Sequence, residues 1–337
     1  MNRIKWIWIC FIHGWTSVFA NTFVPAKYAG EFLSAGPGAR PFGMGNAFSA
    51  VVQDITALYW NPAGLVFLDG MQIHGMHSER FSGSVNNDFI GLGISVGKKA
   101  ALGIGLYRLG IDGIPVTRLK DPNRSLGDFY YDAGNQLIQN VPYVSGTLHD
   151  QEMALLFSYS RRFSAKWTWG GSVKMIRKQV GEYSAWGIGF DFGILAFPYR
   201  GLRIGMMLQD GTSTLIAWNG KRKELIVPHL KTGIAYPFQI RNVRLVPAVD
   251  FDVVFENRKQ SAQWRMGSVS IDSHAGLELE FFKCIAFRSG MDQGRWTLGS
   301  GIAFSVVRVD YGFMTDTELG NSQRISATIS LDPKWLP

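Results

Sequence analysis

The chain has 337 residues with a formal net charge of +8, and 18% of its residues are charged, 13% aromatic and 39 of them glycine. The basic residues are spread out, with one dense run at Lys221-Arg222-Lys223, which excludes the clustered basic face that nucleic acid requires. The low charged fraction argues against an ordinary soluble surface, and no run of 18 apolar residues follows residue 20, which excludes a spanning helix.

Residues 1–20 have the layout of a secretory signal. Arg3 and Lys5 precede the apolar stretch Trp6 to Trp15, and Val18-Phe19-Ala20 places small residues where a signal peptidase reads, so cleavage before Asn21 is expected. Cys10 lacks the small residues that a lipoprotein signal places before it. Removal of this segment lowers the net charge to +6 and leaves Cys284 as the one cysteine, so no internal disulfide forms and cysteine supports neither metal nor redox chemistry. An exported chain rich in Trp, Tyr, Phe and Gly without a spanning helix matches a closed outer-membrane β-barrel, in which every backbone group is paired within the wall.

Residues 21–70 differ in pattern from the remainder of the chain. Met44, Ala47, Phe48, Val51 and Ile55 form the stripe of an amphipathic helix beginning near Gly43. Asp54 suits the N-cap of a second piece, Ile55 to Trp60. Pro62 biases Asn61 out of the helical region and ends that piece, leaving Asn61 to cap one further turn at Pro62-Ala63-Gly64. Glycines 36, 38, 43 and 45 with Pro37 and Pro41 keep the lead segment irregular. The expectation is a small N-terminal helical hatch, residues 21–70, inside the lumen of a barrel spanning 71–331, with 332–337 as a C-terminal tail.

From residue 71 the period becomes two. In Ser184 to Phe197, Trp186, Ile188, Phe190, Phe192 and Ile194 face one way while Gly187, Gly189, Asp191 and Gly193 face the other. The alternation recurs in His274 to Phe281 and in Arg324 to Leu331. Fourteen such segments predict a 14-stranded antiparallel transmembrane barrel: 71–79, 87–97, 100–109, 151–162, 166–178, 182–197, 201–210, 225–236, 242–256, 271–281, 284–292, 295–304, 306–315 and 323–331. An even count returns both termini to one side, the periplasm, and the connections sort accordingly. Those after even strands are short, whereas 110–150, 211–224 and 257–270, all after odd strands, form long external loops.

The run "GARPFGMGNAFSAVVQDITALYWNPAGL", Gly38 to Leu65, resembles the hatch signature of the FadL superfamily of outer-membrane proteins, whose Asn-Pro-Ala element matches Asn61, Pro62 and Ala63. The stretches Trp218 to Tyr236, His274 to Asp292 and Val307 to Ile329 resemble the PorV and PorQ type of short FadL-like barrels. The resemblance covers nearly the whole mature chain and is patchy from 110 to 160. It marks Gly43, Gly45, Asp54, Asn61, Pro62, Ala63 and Gly64 as the hatch motif.

Catalytic patterns are weak. His74 and His77, three apart on a strand, fall on opposite faces and cannot share an ion. "GMGNAF" follows no strand and carries Phe48 in the sixth position, so it is no dinucleotide loop. Strand pairing has the means to gather Asp250, Asp252, His274 and Glu278, as lumenal barrel hydrolases do, although no serine has a nucleophile's neighbourhood. No metal, no cofactor and no enzymatic activity are expected. The PorV resemblance implies an accessory of a type IX-like secretion system that binds exported proteins or secretion components, with Phe129, Tyr130, Tyr131, Leu137, Ile138 and Tyr143 of the largest external loop as partner surface or contacts to lipopolysaccharide. The wider FadL resemblance implies a passive channel for hydrophobic, lipid-like small molecules, with Phe48, Leu58, Tyr59 and Trp60 beside the ligand. A purely structural envelope role is the third reading. All three place the chain in outer-membrane lipid.

Overall fold

Alternation builds the wall. In Tyr183–Ala196 the side chains of Trp186, Ile188, Phe190 and Phe192 are exposed on the outer face, whereas Ala185, Asp191 and Leu195 turn inward and are buried. The computed structural model describes residues 24–25, 30–220, 222–316 and 320–331; the signal segment and the tail expected from the sequence lie outside these.

Fourteen antiparallel strands close on themselves: β1 Met71–Arg80, β2 Val85–Val96, β3 Ala100–Leu119, β4 Pro142–Ser164, β5 Trp167–Val180, β6 Tyr183–Ala196, β7 Arg203–Gln209, β8 His229–Ala235, β9 Val243–Val254, β10 Val269–Phe281, β11 Ile285–Asp292, β12 Arg295–Phe304, β13 Val307–Met314 and β14 Ser322–Leu331. The seam pairs β1 with β14, from Met71 opposite Leu331 to Glu79 opposite Gln323. One end of the barrel carries only short connections, such as Ala165-Lys166 between β4 and β5 and the Ser305-Val306 turn, where Ser305 takes a positive φ. Every long connection lies at the other end. Exposed aromatic side chains ring both ends, Phe163, Tyr199, Phe282 and Phe304 at the short-turn end and Tyr183, Trp186, Trp264 and Trp296 at the other, with an apolar outer band between them.

Two long loops expected from the sequence are largely strand. β3 runs on to Leu119 and β4 starts at Pro142, so most of 110–150 is a protruding hairpin whose tip carries a second small hairpin, Phe129–Tyr131 against Leu137–Gln139. Register shifts between Ile111 and Ile114 and between Val116 and Thr117 interrupt the alternation there, so the period-two pattern ends at 109 while the ladder continues. In 211–224, Thr214–Trp218 extends the line of β7 and pairs with Lys223–Ile226, which extends that of β8.

The amphipathic helix expected from Gly43 to Ile55 does not form. The first helix is α1, Ala39–Gly43, and residues 44–56 are turns and bends. Gly45 and Asn46 both take left-handed φ values, 61° and 63°, which no α-helix accommodates. The second helix, α2, is Ala57–Trp60, followed by a 3-10 turn at Pro62–Phe67. The 30–68 segment packs within the barrel, and Met44, Phe48, Val52, Ile55, Leu58 and Leu65 are wholly buried.

Candidate functional site

The lumenal segment touches the wall backbone to backbone. A Cβ on Gly205 would collide with the Ser49 carbonyl, one on Gly170 with Pro62 and Ala63, and one on Gly276 with the Met44 carbonyl. Gly45 is held from the other side: beyond its positive φ, a Cβ there would come within 2.6 Å of the Ala275 carbonyl oxygen and the Met291 amide nitrogen. These contacts require inward glycine, which is why the alternating strands place glycine where a barrel with an open lumen would place polar side chains.

Directed hydrogen bonds fix the seat. Asp250 Oδ2 accepts from the Phe48 and Ser49 amides at 3.0 and 2.7 Å. Arg324 donates through Nη1 to the carbonyls of Ala35, Gly36 and Gly38 at 3.2, 2.8 and 3.2 Å and lies over the Phe42 ring. Thr297 donates to the Gly43 carbonyl and Thr168 to that of Ala63. Asn61 works in both directions: Oδ1 accepts from the Ala63 amide at 3.2 Å, capping the 3-10 turn behind Pro62, while Nδ2 donates to the carbonyls of Ser49 and of Ile194 on β6 at 3.0 and 3.1 Å. Gly64 packs against the Val52 carbonyl.

An ionic network holds the other flank. Arg40 reaches Glu278 through Nε and Nη2, each at 2.8 Å, and Asp54 at 3.3 Å; Glu278 is also held by Arg288, which continues to Asp310. Burial opposes the charge on Arg40, but Glu278 and Asp54 hold its pKa above the usual value, so it is a fixed cation. Asp54 additionally accepts from the Thr56 amide, bracing the start of α2 without being its N-cap.

Two cavities flank the seated segment. One, about 360 Å³, lies toward the long-loop end and includes Tyr59, Trp60, Asp210, Ile226, Val227 and His229 in its lining. The other, about 280 Å³, lies toward the short turns beside Arg40, Asp54, His74, Arg308 and Thr328. Of the four side chains expected beside a hydrophobic ligand, Tyr59 and Trp60 border the larger cavity. Phe48 and Leu58 line neither: Phe48 meets Trp60 edge to face, and Leu58 fills the space over Gly103 and Gly105. Burial raises the pKa of the Tyr59 phenol, which remains a donor to the Leu33 carbonyl, and Trp60 Nε1 donates to the Pro37 carbonyl at 2.8 Å. The floor of the cavity is thereby tied to residues 33–37.

The wall is interrupted beside this cavity. Strand β7 breaks at Asp210–Ser213, both ends of the break in left-handed conformation, and the line of β8 breaks at Val227-Pro228. The ladder between β8 and β9 stops at His229 opposite Val254. Among the described residues, the strand Lys223–Ile226 forms no ladder with β9; it pairs instead in parallel with Val24–Pro25. Gly30 then lies over Ile226, where a Cβ would come within 2.9 Å of its side chain. At the break in β7 a buried triad replaces apolar packing: Lys174 Nζ lies 2.9 Å from Asp191 and 2.7 Å from Asp210. The sequence signal for this triad, as for Arg288 and Arg324, was a charge at an inward position of an alternating strand.

The remaining candidates separate. His74 is buried in the lumen against Thr328, and His77 stands outside against Asp88. Asp250 is opposite His274 in register, yet the His274 ring lies between Asp292, 2.9 Å from Nδ1, and Asp252, 3.6 Å from Nε2, while Glu278 is bound by arginines. Both ring nitrogens face carboxylates, so neither is left to activate a serine. Phe129, Tyr131, Leu137 and Tyr143 are exposed on the hairpin, with Tyr130 and Ile138 half-buried beside them, and none of the six lines either cavity.

No family model matches the sequence, and no curated protein matches it. Solved structures share the fold. The chain is similar to the CymD monoaromatic hydrocarbon channel, at 15% identity and a TM-score of 0.59 over 88% of this chain and 98% of that one. It is also similar to the Pseudomonas putida toluene transporter TodX, at 12% and 0.57 over 88% and 99%. A third is a Pseudomonas aeruginosa FadL homologue, at 11% and 0.52 over 87% and 98%. At these identities the likeness is one of fold: a closed barrel of FadL and TodX type.

Proposed function

We propose that the protein is a non-enzymatic outer-membrane channel that passes hydrophobic small molecules inward, with residues 30–68 as its hatch and the short turns in the periplasm. The observation that carries this reading is the break in the wall at Val227-Pro228 beside the cavity floored by Tyr59 and Trp60, with Gly30 lying over Ile226 at its edge. A closed, filled lumen offers no straight aqueous path, so passage requires the hatch to shift, and the residues at Gly30 that lie over Ile226 are the part that must leave the opening. The channels of similar fold are a monoaromatic hydrocarbon channel and a toluene transporter, which supports an apolar cargo.

The test is a reversible lock. Gly30→Cys with Ile226→Cys, in a Cys284→Ser background, is assayed for uptake of a hydrophobic probe before and after oxidation. Uptake lost on oxidation and regained on reduction is expected; uptake indifferent to the cross-link overturns the reading.

The secretion-accessory reading attached to the PorV and PorQ resemblance rests on one observation, the exposed Phe129, Tyr131, Leu137 and Tyr143 of the protruding hairpin. Nothing else favours a protein cargo, so the hydrophobic channel takes precedence.

A further inference from the structure

A third cavity, about 610 Å³, opens at the short-turn mouth between the hatch and the β4–β5 and β6–β7 turns. Lys166, Arg200 and Arg203 line it with Phe67, Phe197 and Tyr199, and its lining contains no Asp or Glu. This differs from Lys174, Lys178, Lys231, Arg288 and Arg308 elsewhere in the lumen, each of which faces a carboxylate within 4 Å, and from Arg324, which is held by three carbonyls. Among the described residues Lys166, Arg200 and Arg203 have no acidic partner. Three cations that share one opening without a counter-charge repel one another, and an anion with several acceptor oxygens is the ligand that suits them.

We propose that this groove binds the phosphate of an anionic phospholipid headgroup. A phosphate offers several acceptor oxygens to the forked guanidinium groups of Arg200 and Arg203 and to the Lys166 ammonium. The surroundings of the cations favour a lipid source over a free anion. Phe67 and Phe197 meet edge to face at 5.5 Å, and Arg162 lies over the Phe67 ring. Phe163, Trp167 and Tyr199 are exposed on the adjoining rim, at the level where aromatic side chains meet headgroups. Lys98, Lys99 and Arg161, on the neighbouring β2–β3 turn and the end of β4, add cations that also lack acidic partners among the described residues. The site rests on the proposed membrane placement, with the short turns at the headgroups of one leaflet.

The test uses the full chain in neutral detergent, titrated separately with dihexanoyl-phosphatidylglycerol, dihexanoyl-phosphatidylcholine and inorganic phosphate, with binding followed by calorimetry. Phosphatidylglycerol is expected to bind at least about tenfold more tightly than phosphatidylcholine, and loss of each cation to weaken it roughly fivefold. Arg203→Gln tests the half-buried donor; Lys166→Glu with Arg200→Glu tests the exposed pair at positions that leave the barrel folded, as heat-modifiable gel mobility checks. Equal binding of the two lipids, or unchanged phosphatidylglycerol binding in both variants, overturns the site. Inorganic phosphate binding as tightly as phosphatidylglycerol overturns the lipid assignment. Flotation with phosphatidylcholine vesicles reads membrane insertion separately: a chain that fails to float overturns the membrane placement, whereas one that floats without discriminating headgroups overturns this site alone.

Discussion

Arg40 and Glu278 are joined by two parallel hydrogen bonds, Nε to Oε2 and Nη2 to Oε1, both 2.8 Å, and the carboxylate has no exposed surface. This is the fork-to-carboxylate arrangement in which both partners are fixed in direction as well as distance. It ties the start of the hatch to β10.

Arg40→Ala removes one member of a buried pair and leaves Glu278 with Arg288 and the more distant Arg244. A loss of about 3–5 kcal/mol is characteristic of such a break, and the lower end is expected because Arg288 remains. Arg40→Lys is expected to recover only part of it, since an ammonium cannot make the paired contact. Urea unfolding of the detergent-folded barrel measures the difference; a loss below about 1 kcal/mol for Arg40→Ala would show that the pair does not hold the hatch.

Gly45→Ala is expected to unseat the hatch. The new methyl meets backbone atoms of β10 and β11, which cannot yield as a side chain can, and the residue's φ of 61° disfavours alanine as well. Limited proteolysis between residues 40 and 60 should become at least about tenfold faster than in the parent, as local opening by more than about 1.4 kcal/mol requires. Unchanged cleavage would mean the close approach is not maintained in solution.

Asn61→Ala deletes a cap and three carbonyl contacts, to Ser49, Ile194 and Met206, while Pro62 still ends α2. A cost of about 1–3 kcal/mol is expected, because the Ser49, Ile194 and Met206 carbonyls are left without their donor. Asn61→Asp retains the acceptor for the Ala63 amide but turns a carboxylate oxygen toward those carbonyls, so it should be no better than alanine. Thermal melting followed by tryptophan fluorescence ranks the three; an aspartate variant as stable as the parent would contradict the donor role.

Replacing Phe129, Tyr131 and Leu137 together by serine should leave barrel stability within about 0.5 kcal/mol, since these side chains are exposed and line no cavity. Uptake of a hydrophobic probe should also be unchanged. Copurification of exported proteins with the parent, lost in this variant, would instead favour the protein-cargo reading.

The fourteen strands were legible because one face of each meets an apolar surrounding and the other a tight interior, so Trp186, Ile188 and Phe190 alternate cleanly with Gly187, Gly189 and Asp191. The lumenal segment was legible only as a block that differs from the strands. Met44, Ala47, Phe48, Val51 and Ile55 follow helical spacing, but the segment is enclosed on every side, so burial imposes no single face and the spacing does not report a helix. The break at Val227-Pro228 interrupts a strand that still alternates on both sides, which is why 225–236 reads as one continuous element; at Asp210–Ser213 the break instead reads as the end of the strand, so Thr214–Trp218 falls into the loop 211–224. Lys174 is legible as an inward charge, yet its partners Asp191 and Asp210 come from two other strands and only the register joins them.

The seam between β1 and β14 has a consequence for how the molecule is made. Met71 pairs with Leu331, so the ring cannot be completed until nearly all of the chain is available, and that last pairing spans the greatest sequence separation in the wall. The lumenal segment precedes β1 in the chain. Its backbone lies so close to Gly170, Gly205 and Gly276 that pushing it into a finished ring would force it past each of them in turn. A segment already inside when Met71 meets Leu331 reaches these contacts without that passage, so closing the seam is the step that encloses it.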